Sequence, residues 1–367
     1  MYWKNELKKN IITIDQLKKF LPISKDDEKW LKKVIDIHPM SVSRHYLSLI
    51  DFKDSDDPIK KMVIPAKQEM DVTGSYDTSG ELSNTKFLGF QHKYPQTVLI
   101  LSTHRCASYC RFCFRKRLVG VTKDEVLNNI NKAVTYINKH PEVNNILITG
   151  GDPLVLSTKI IIRFLEKLTT IPHIDFIRFG TKVPVYLPSR IYDSYELLAA
   201  LKKHSKIKQI YFVTHVDHPR EITPELRRAI SKLLKSRVIV NNQTVLMRGV
   251  NDDPNILAEL QNKLVSSGIN PYYVFQCRPV KRVKNHFQLP ILEGYRIVEK
   301  AKTMLNGHSK RFRYVMSHKT GKVEIIGPKN DEMIFKYHQA KDARNNGRIF
   351  TRKISKTAGW LDEFAAK

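Results

Sequence analysis

Cysteine is scarce in this chain, with four residues in 367. So few, at irregular spacing, cannot build the disulfide framework of a small secreted domain. Long apolar runs are missing as well. No stretch approaches the roughly eighteen uninterrupted apolar residues of a membrane span, and Met1-Tyr2-Trp3-Lys4 begins no apolar leader core. A soluble, cytoplasmic protein is expected. Acidic residues are outnumbered: 36 Asp and Glu face 63 Lys and Arg, for a net charge of +27. The excess is spread along the chain and favours polyanions in general. A nucleic-acid footprint needs such charge clustered on one face, so nucleic acid stays open as a partner. There is no low-complexity tract. The 41% apolar fraction is enough for a buried core.

Three of the four cysteines stand together, in Cys106-Ala107-Ser108-Tyr109-Cys110-Arg111-Phe112-Cys113. Thiolates suit zinc, copper(I) or iron–sulfur clusters. A closed tetrahedral zinc site would need Cys277 or a histidine as its fourth ligand. A [4Fe–4S] cluster on three thiolates instead leaves one iron open, where chemistry can occur. Two classes therefore stand side by side: a cluster enzyme, and a zinc-stapled basic nucleic-acid-binding protein.

Residues 1–95 carry helical spacing at Ile14–Phe20 and at Asp26–Ile37, the latter opened by Ser24, then a helix, a turn and another helix between His38 and Pro65. Residues 71–90, rich in Ser, Thr, Gly and Asp, read as a loop. From residue 97 apolar β-branched runs alternate with amphipathic ones. The expected strands are Val98–Thr103, Asn145–Gly150, Phe176–Thr181, Lys208–His215, Val238–Leu246 and Tyr272–Cys277. The expected helices lie near Lys123–Lys139 and at Thr158–Thr169, Arg190–His204, Pro224–Lys235, Pro254–Ser266 and Leu292–Leu305. Near-continuous apolar strands joined by helices predict buried parallel strands, an α/β fold with six βα units. An open partial barrel over 96–306 follows, with an N-terminal helical extension over 1–95. Residues 307–367 predict a small α+β extension, with short strands at Arg313–Val315, Lys322–Ile326 and Met333–Lys336. Asp342–Lys367 is expected to be a peripheral tail.

Barrel sites form where strands end. The first strand runs into the cysteines. The others end in Gly150-Gly151-Asp152-Pro153, Gly180-Thr181-Lys182, Thr214-His215, Asn241-Asn242-Gln243 and Gln276-Cys277-Arg278. Glycine pairs allow close approach of backbone to a ligand, and Asp152 can accept hydrogen bonds from an amine or hydroxyl.

The C-x3-C-x2-C run resembles the signature of the radical S-adenosylmethionine (SAM) enzymes. The resemblance implies a [4Fe–4S] cluster on Cys106, Cys110 and Cys113, SAM on the open iron, and an external electron donor for its reductive cleavage to a 5′-deoxyadenosyl radical. It also implies the open barrel, and Gly150-Gly151-Asp152-Pro153 resembles the element that meets the SAM amino group. Residues 38–306 further resemble the lysine 2,3-aminomutase family. The carriers are Cys113-Phe114-Arg115-Lys116-Arg117, Gly180-Thr181-Lys182-Val183-Pro184, Thr214-His215-Val216-Asp217-His218-Pro219 and Asn242-Gln243-Thr244-Val245-Leu246-Met247-Arg248-Gly249-Val250-Asn251-Asp252. This implies a 1,2-amino shift, with Arg115 holding a substrate carboxylate and Thr181, Lys182, His215 and Gln243 among the cofactor contacts. The pattern also departs from the family. Its phosphate-binding Arg, nine residues before the first cysteine, is Thr97, and its His before the third is Phe112. Its Asp after the strand-six Cys, a contact to the distal ammonium of lysine, is Arg278. Its glycine run with the pyridoxal phosphate (PLP) lysine is reduced to Met316-Ser317-His318-Lys319-Thr320-Gly321-Lys322. Lys319 and Lys322 fall on an expected solvated turn. Free lysine is therefore an unexpected substrate, an acidic distal group a better one, and an enzyme that does not use PLP in the family's manner is expected; a PLP-free radical SAM reaction on a nucleotide, RNA or polypeptide stands beside the amino shift.

Overall fold

The apolar runs pair in chain order. A computed structural model describes residues 2–364, and its twelve strands form one sheet ordered as in the sequence. These are β1 (Thr85–Phe87), β2 (Phe90–Tyr94), β3 (Thr97–Thr103), β4 (Asn145–Gly150), β5 (Phe176–Gly180), β6 (Gln209–Thr214), β7 (Val238–Leu246), β8 (Asn270–Gln276), β9 (Arg313–His318), β10 (Gly321–Lys329), β11 (Glu332–Ala340) and β12 (Ile349–Lys353). Strands β3 to β8 run parallel. They are the six expected strands, and β1 and β12 do not meet, so the barrel is open.

Period-two alternation sorts the side chains. Val98, Ile100, Ile146, Ile148, Ile177, Phe179, Ile210 and Phe212 share one core with Ile161, Phe164, Leu165 and Leu168 of the helix Thr158–Leu168. The alternate residues line the lumen. Leu99, Leu147, Arg178, Tyr211 and Ile239 form one in-register row across five strands. The crossover helices are as expected, with two differences. The first starts only at Ile130, capped by Asn129, and the third is broken into Ser189–Tyr192 and Tyr195–His204. At that break the Arg190 guanidinium donates to the carbonyls of Leu154 and Leu156 and to Ser194 Oγ, which fixes the first turn separately.

The sheet continues past the expected barrel on both sides. The stretch 71–90, expected to be a loop, contains the helical turn Glu81–Asn84, β1 and the start of β2. Strand β9 adds a seventh parallel strand against β8, and the remaining pairs are antiparallel. The peripheral tail expected from Asp342 onward is also corrected. It supplies β12, and Ala358, Trp360, Leu361 and Phe364 are buried in a second apolar cluster with Ile291, Tyr314 and Phe335. Those few apolar residues are scattered among charges, so no local period announced them. Among the described residues no helix is long and apolar enough to cross a membrane.

The N-terminal segment exists structurally as a clamp on the cysteine loop. That loop makes few backbone bonds of its own and borrows partners instead. Asn10 Nδ2 donates to Ala107 O (2.7 Å), Tyr109 N to Ser41 O (2.9 Å), Ser43 N to Ser108 Oγ (2.9 Å) and Arg111 N to Met62 O (2.8 Å). Beneath it lies a buried ion triad. Arg111 Nε and Nη2 donate to Glu69 Oε1 and Oε2 at 2.8 and 2.7 Å, and Lys116 Nζ reaches the same carboxylate. Burial alone would raise the Glu69 carboxyl, but Arg111 and Lys116 outweigh it and hold it down at about 2. A depressed carboxyl stabilises the fold above its unfolded value and loses that contribution as pH falls towards 2. Glu69→Gln leaves two buried cations without their anion and is expected to cost about 3–5 kcal/mol. The drop should appear in the denaturant midpoint at neutral pH and shrink in acid.

Candidate active site

Strand β3 delivers the three cysteines to the C-terminal mouth of the barrel. Burial raises all three thiols, Cys110 to about 12, so they are not free nucleophiles and would ionise only against a cation. Three thiols from one loop, with no fourth ligand from the same loop, suit a [4Fe–4S] cluster, which takes one thiolate per iron and leaves one iron open. Tyr186 Oη lies 2.9 Å from Cys110 Sγ, a contact the sequence did not signal.

Gly150 and Gly151 are needed for a reason different from the one expected. Gly150 has φ +124°, and a Cβ there would sit 2.3 Å from Thr103 O; at Gly151 it would sit 2.2 Å from Arg105 O. The close approach is made by the cysteine loop itself, to which Asp152 N donates through Arg105 O (2.8 Å). Pro153 begins the short turn that follows, and Asp152 caps it. The Asp152 carboxylate is pushed up to about 6 by burial, against hydrogen bonds from Thr181 Oγ1 and from the backbone N–H groups of Leu154, Lys182 and Val183. It stitches β4 to β5.

Lys182 stands behind the cysteine loop. Its ammonium bonds Asp217 Oδ2 (2.7 Å) and Glu221 Oε1 (2.9 Å), 5.4 Å from the ring of Phe112 and 5.2 Å from that of Tyr186. Burial would lower it, but Asp217 and Glu221 hold it above the usual lysine range. His215 is pushed down to about 4 by burial and by Lys182, and is therefore neutral at pH 7. Gln243 faces the lumen beside Tyr273.

Arg115 and Arg278 come together as expected, but they are not equivalent. Phe114 is sandwiched between them, with guanidinium carbons 4.5 and 4.2 Å from its ring. Arg115 is fully engaged: Nε and Nη2 bond Glu81 Oε1 (3.0 Å each), and Nη1 donates to Thr149 Oγ1 (3.2 Å). Glu81 comes from the stretch expected to be a loop. Arg278 Nη1 is buried without a partner, and burial pushes this guanidinium down to about 10. The sequence also missed Lys93, pushed down to about 7 by burial and by Arg278, whose ammonium bonds Ser79 O (3.1 Å) and His318 O (2.6 Å).

The two C-terminal lysines also separate. Lys319 is exposed and pairs with Asp362 (3.2 Å), as a turn lysine should. Lys322 does not sit in solvent. It is the second residue of β10, alternates with the core residues Val323 and Ile325, and lies over the ring of Tyr273 (5.0 Å). Burial and the charges of Arg178, Lys93 and Arg278 push it down to about 7. An amine lowered this far is partly neutral near pH 7, the kind of lysine that condenses with carbonyls.

The profile of the Radical SAM superfamily matches residues 100–260. A putative L-lysine 2,3-aminomutase of Aquifex aeolicus (strain VF5) is 39% identical over 97% of this chain and 96% of its own length. The L-lysine 2,3-aminomutase of Clostridium subterminale is 37% identical over 84% of this chain and 72% of that one. Glutamate 2,3-aminomutase of Clostridioides difficile (strain 630) is 35% identical over 81% and 70%. Three thiols at the mouth of an open six-stranded barrel, and relatedness along nearly the whole chain, place it as a member of the lysine 2,3-aminomutase family of radical SAM enzymes.

Proposed function

We propose that this enzyme moves an amino group between adjacent carbons of an amino acid that carries a second, distal anionic group. The observation that carries the reading is Arg278, at the end of β8, whose Nη1 is closed to water without a partner and whose guanidinium lies 4.2 Å from the ring of Phe114. Glu81 acts on this guanidinium but is shared with Arg115 and Arg117, so the cations outnumber their anion, and a bound carboxylate or phosphate would relieve them. Arg115, across Phe114, is the second cationic contact, and Glu81 sets its orientation. A substrate carboxylate there would share the guanidinium with Glu81. Cys106, Cys110 and Cys113 hold the cluster, and Gly150 to Pro153, Thr181 and His215 line the side of the mouth where SAM would sit. When bound, the cluster and SAM supply the hydrogen-abstracting radical, after an electron from an external donor.

The expectation of PLP independence rested on the joint loss of the glycine run, the phosphate Arg (Thr97) and the His beside the cluster (Phe112), and on two solvated turn lysines; of these grounds only the last changes, because Lys322 is not solvated. Lys322 is proposed as the residue that carries PLP, with Tyr273 of β8 beneath its side chain and Gln243 of β7 paired in register with that tyrosine. PLP when bound would hold the migrating nitrogen; the protein's part is to lower the amine of Lys322 by burial and by the neighbouring cations.

Anaerobically reconstituted protein is expected to bind about four irons per chain and to cleave SAM to 5′-deoxyadenosine under reduction. Changing all three loop cysteines to Ala should remove both. One zinc and no iron after reconstitution would return the zinc-stapled reading.

A further inference from the structure

The hydroxyl of Tyr186 is buried with a sulfur as its partner. Tyr186 closes the helical turn Val183–Tyr186 that follows β5, and it is 2% exposed. Its backbone is tied on both sides: the N–H donates to Lys182 O (3.0 Å), and the carbonyl accepts from Ser43 Oγ of the N-terminal clamp. Its ring meets that of Tyr46 edge to face, with centroids 4.6 Å apart. Held in this way, Oη lies 2.9 Å from Cys110 Sγ, and among the described residues it has no other hydrogen-bond partner. Among the described residues, too, no other side chain hydrogen-bonds a sulfur of the cysteine loop.

A buried hydroxyl normally finds a good partner. A neutral thiol is a weak acceptor, whereas a thiolate accepts a charge-assisted bond about twice as strong as a neutral one. The pairing is therefore fully used only when Cys110 is a metal-bound thiolate. Such a sulfur has no proton to give, so the phenol, ordinarily protonated below about pH 10, is the donor. The surroundings make that bond matter. Behind Tyr186 the ammonium of Lys182, 5.2 Å from the ring, sits between Asp217 and Glu221, and both carboxylates are fully buried. The backbone N–H groups of Val245 (2.8 Å) and His218 (3.1 Å) and the hydroxyl of Tyr46 (2.6 Å) also donate to them. Two carboxylates against one ammonium leave this group with a surplus negative charge, which opposes the arrival of an electron nearby. Hydrogen bonds to cluster sulfurs act the other way, because reduction places more negative charge on them.

We propose that Tyr186 is a positioning residue for the electron-transfer step: its hydroxyl donates to Cys110 Sγ and raises the reduction potential of the cluster that this sulfur holds. The one electron comes from the external donor. Tyr186 keeps its proton throughout, and no covalent bond to it forms or breaks. The inference rests on the reading of the three cysteines as cluster ligands, and it adds a residue that lies outside the strand-end motifs.

The test reads a potential, not turnover. The anaerobically reconstituted enzyme is titrated through its one-electron reduction and followed by electron paramagnetic resonance. It is compared with Tyr186→Phe, which keeps the ring and removes the hydroxyl, and with Tyr46→Phe, which removes a hydroxyl bonded to Glu221 and not to sulfur. A third chain carries 3-fluorotyrosine at position 186. Tyr186→Phe should lower the potential by about one decade in the reduction equilibrium, ~59 mV for one electron, at unchanged iron content. The fluorinated phenol is the stronger donor and should move the potential the opposite way. In the resonance Raman spectrum, an iron–sulfur stretch of the unaltered enzyme should shift in D2O, and shift less in Tyr186→Phe. Tyr46→Phe should leave that deuterium effect intact, which separates a bond to sulfur from a general change in the buried network. If Tyr186→Phe does not hold iron, the fluorinated chain, which keeps the tyrosine's shape, decides alone. An iron-loaded enzyme whose potential moves with neither change at Tyr186 overturns the inference while the cluster reading stands. A protein that takes up zinc and no iron overturns both.

Discussion

Free L-lysine is expected to turn over about a thousandfold less efficiently than an amino acid with a distal carboxylate or phosphate. The reason lies at the end of β8. Arg278 follows the β8 cysteine, where the family resemblance would place an acidic contact to the distal ammonium, and its guanidinium lies 4.2 Å from the ring of Phe114 with Nη1 closed to water and unpartnered. Two like charges about 4 Å apart cost on the order of 4 kcal/mol at an effective dielectric near 20, close to three decades in affinity. Glu81 softens this only partly, because Arg115 and Arg117 already share it, at 3.0 and 2.9 Å. Arg278 as a whole is half-buried, and its Nη1 is closed to water and points away from solvent. The measurement is kcat/KM for lysine, glutamate and O-phosphoserine with the reconstituted enzyme. Arg278→Asp should then reverse the order, gaining on lysine and losing on the anionic substrates. Efficient conversion of lysine to β-lysine by the unaltered chain would sink the reading.

The parts of this site that were legible in the sequence are those written in consecutive residues. The cysteine spacing, the Gly-Gly-Asp-Pro turn and the six strands each carry their own local pattern, and two strands, Asn145–Gly150 and Val238–Leu246, have the expected ends. What could not be read is what depends on pairing across distance. Glu81 lies 34 positions from Arg115 in a stretch of turn-like composition, and nothing local shows that it neutralises that arginine. Asp152 looked like a ligand for an amine, yet Thr181 and three backbone N–H groups occupy it. The C-terminal tail hid Trp360 and Phe364 among charged residues, so its packing emerged only with the sheet. Two misses did leave a signal. In Ile177-Arg178-Phe179 and in Lys322-Val323-Glu324-Ile325 the apolar residues alternate, and period two alone sends Arg178 and Lys322 to the opposite face, into the lumen.

That alternation sets up the second large effect. Lys322, and not Lys319, is expected to become pyridoxylated when the protein is incubated with PLP and reduced with borohydride. Both are three residues apart on a tight hairpin, so chain position does not distinguish them. Burial does. Lys319 is exposed and ion-paired with Asp362, whereas Lys322 is pushed down to about 7 by burial and by Arg178, Lys93 and Arg278. A lowered lysine is neutral above its own value and protonated below it, so uptake should rise through pH 7 and level off near pH 8. An ordinary lysine near 10.4 is less than about 1% neutral at pH 8, so Lys322 should react on the order of 200-fold faster than a surface lysine. Stopped-flow absorbance of PLP uptake against pH reads the midpoint, and peptide mapping reads the site. Lys322→Ala should abolish the stoichiometric adduct and turnover together, while Lys319→Ala leaves both. Anionic PLP entering the lumen adds its own charge and raises the amine, so the midpoint should move upward as the cofactor docks. It should stay near 7 for the uncharged probe acetaldehyde under reductive conditions. An adduct at Lys319, or a midpoint near 10 with acetaldehyde, would show that the lumen does not desolvate Lys322 and would restore the PLP-independent reading.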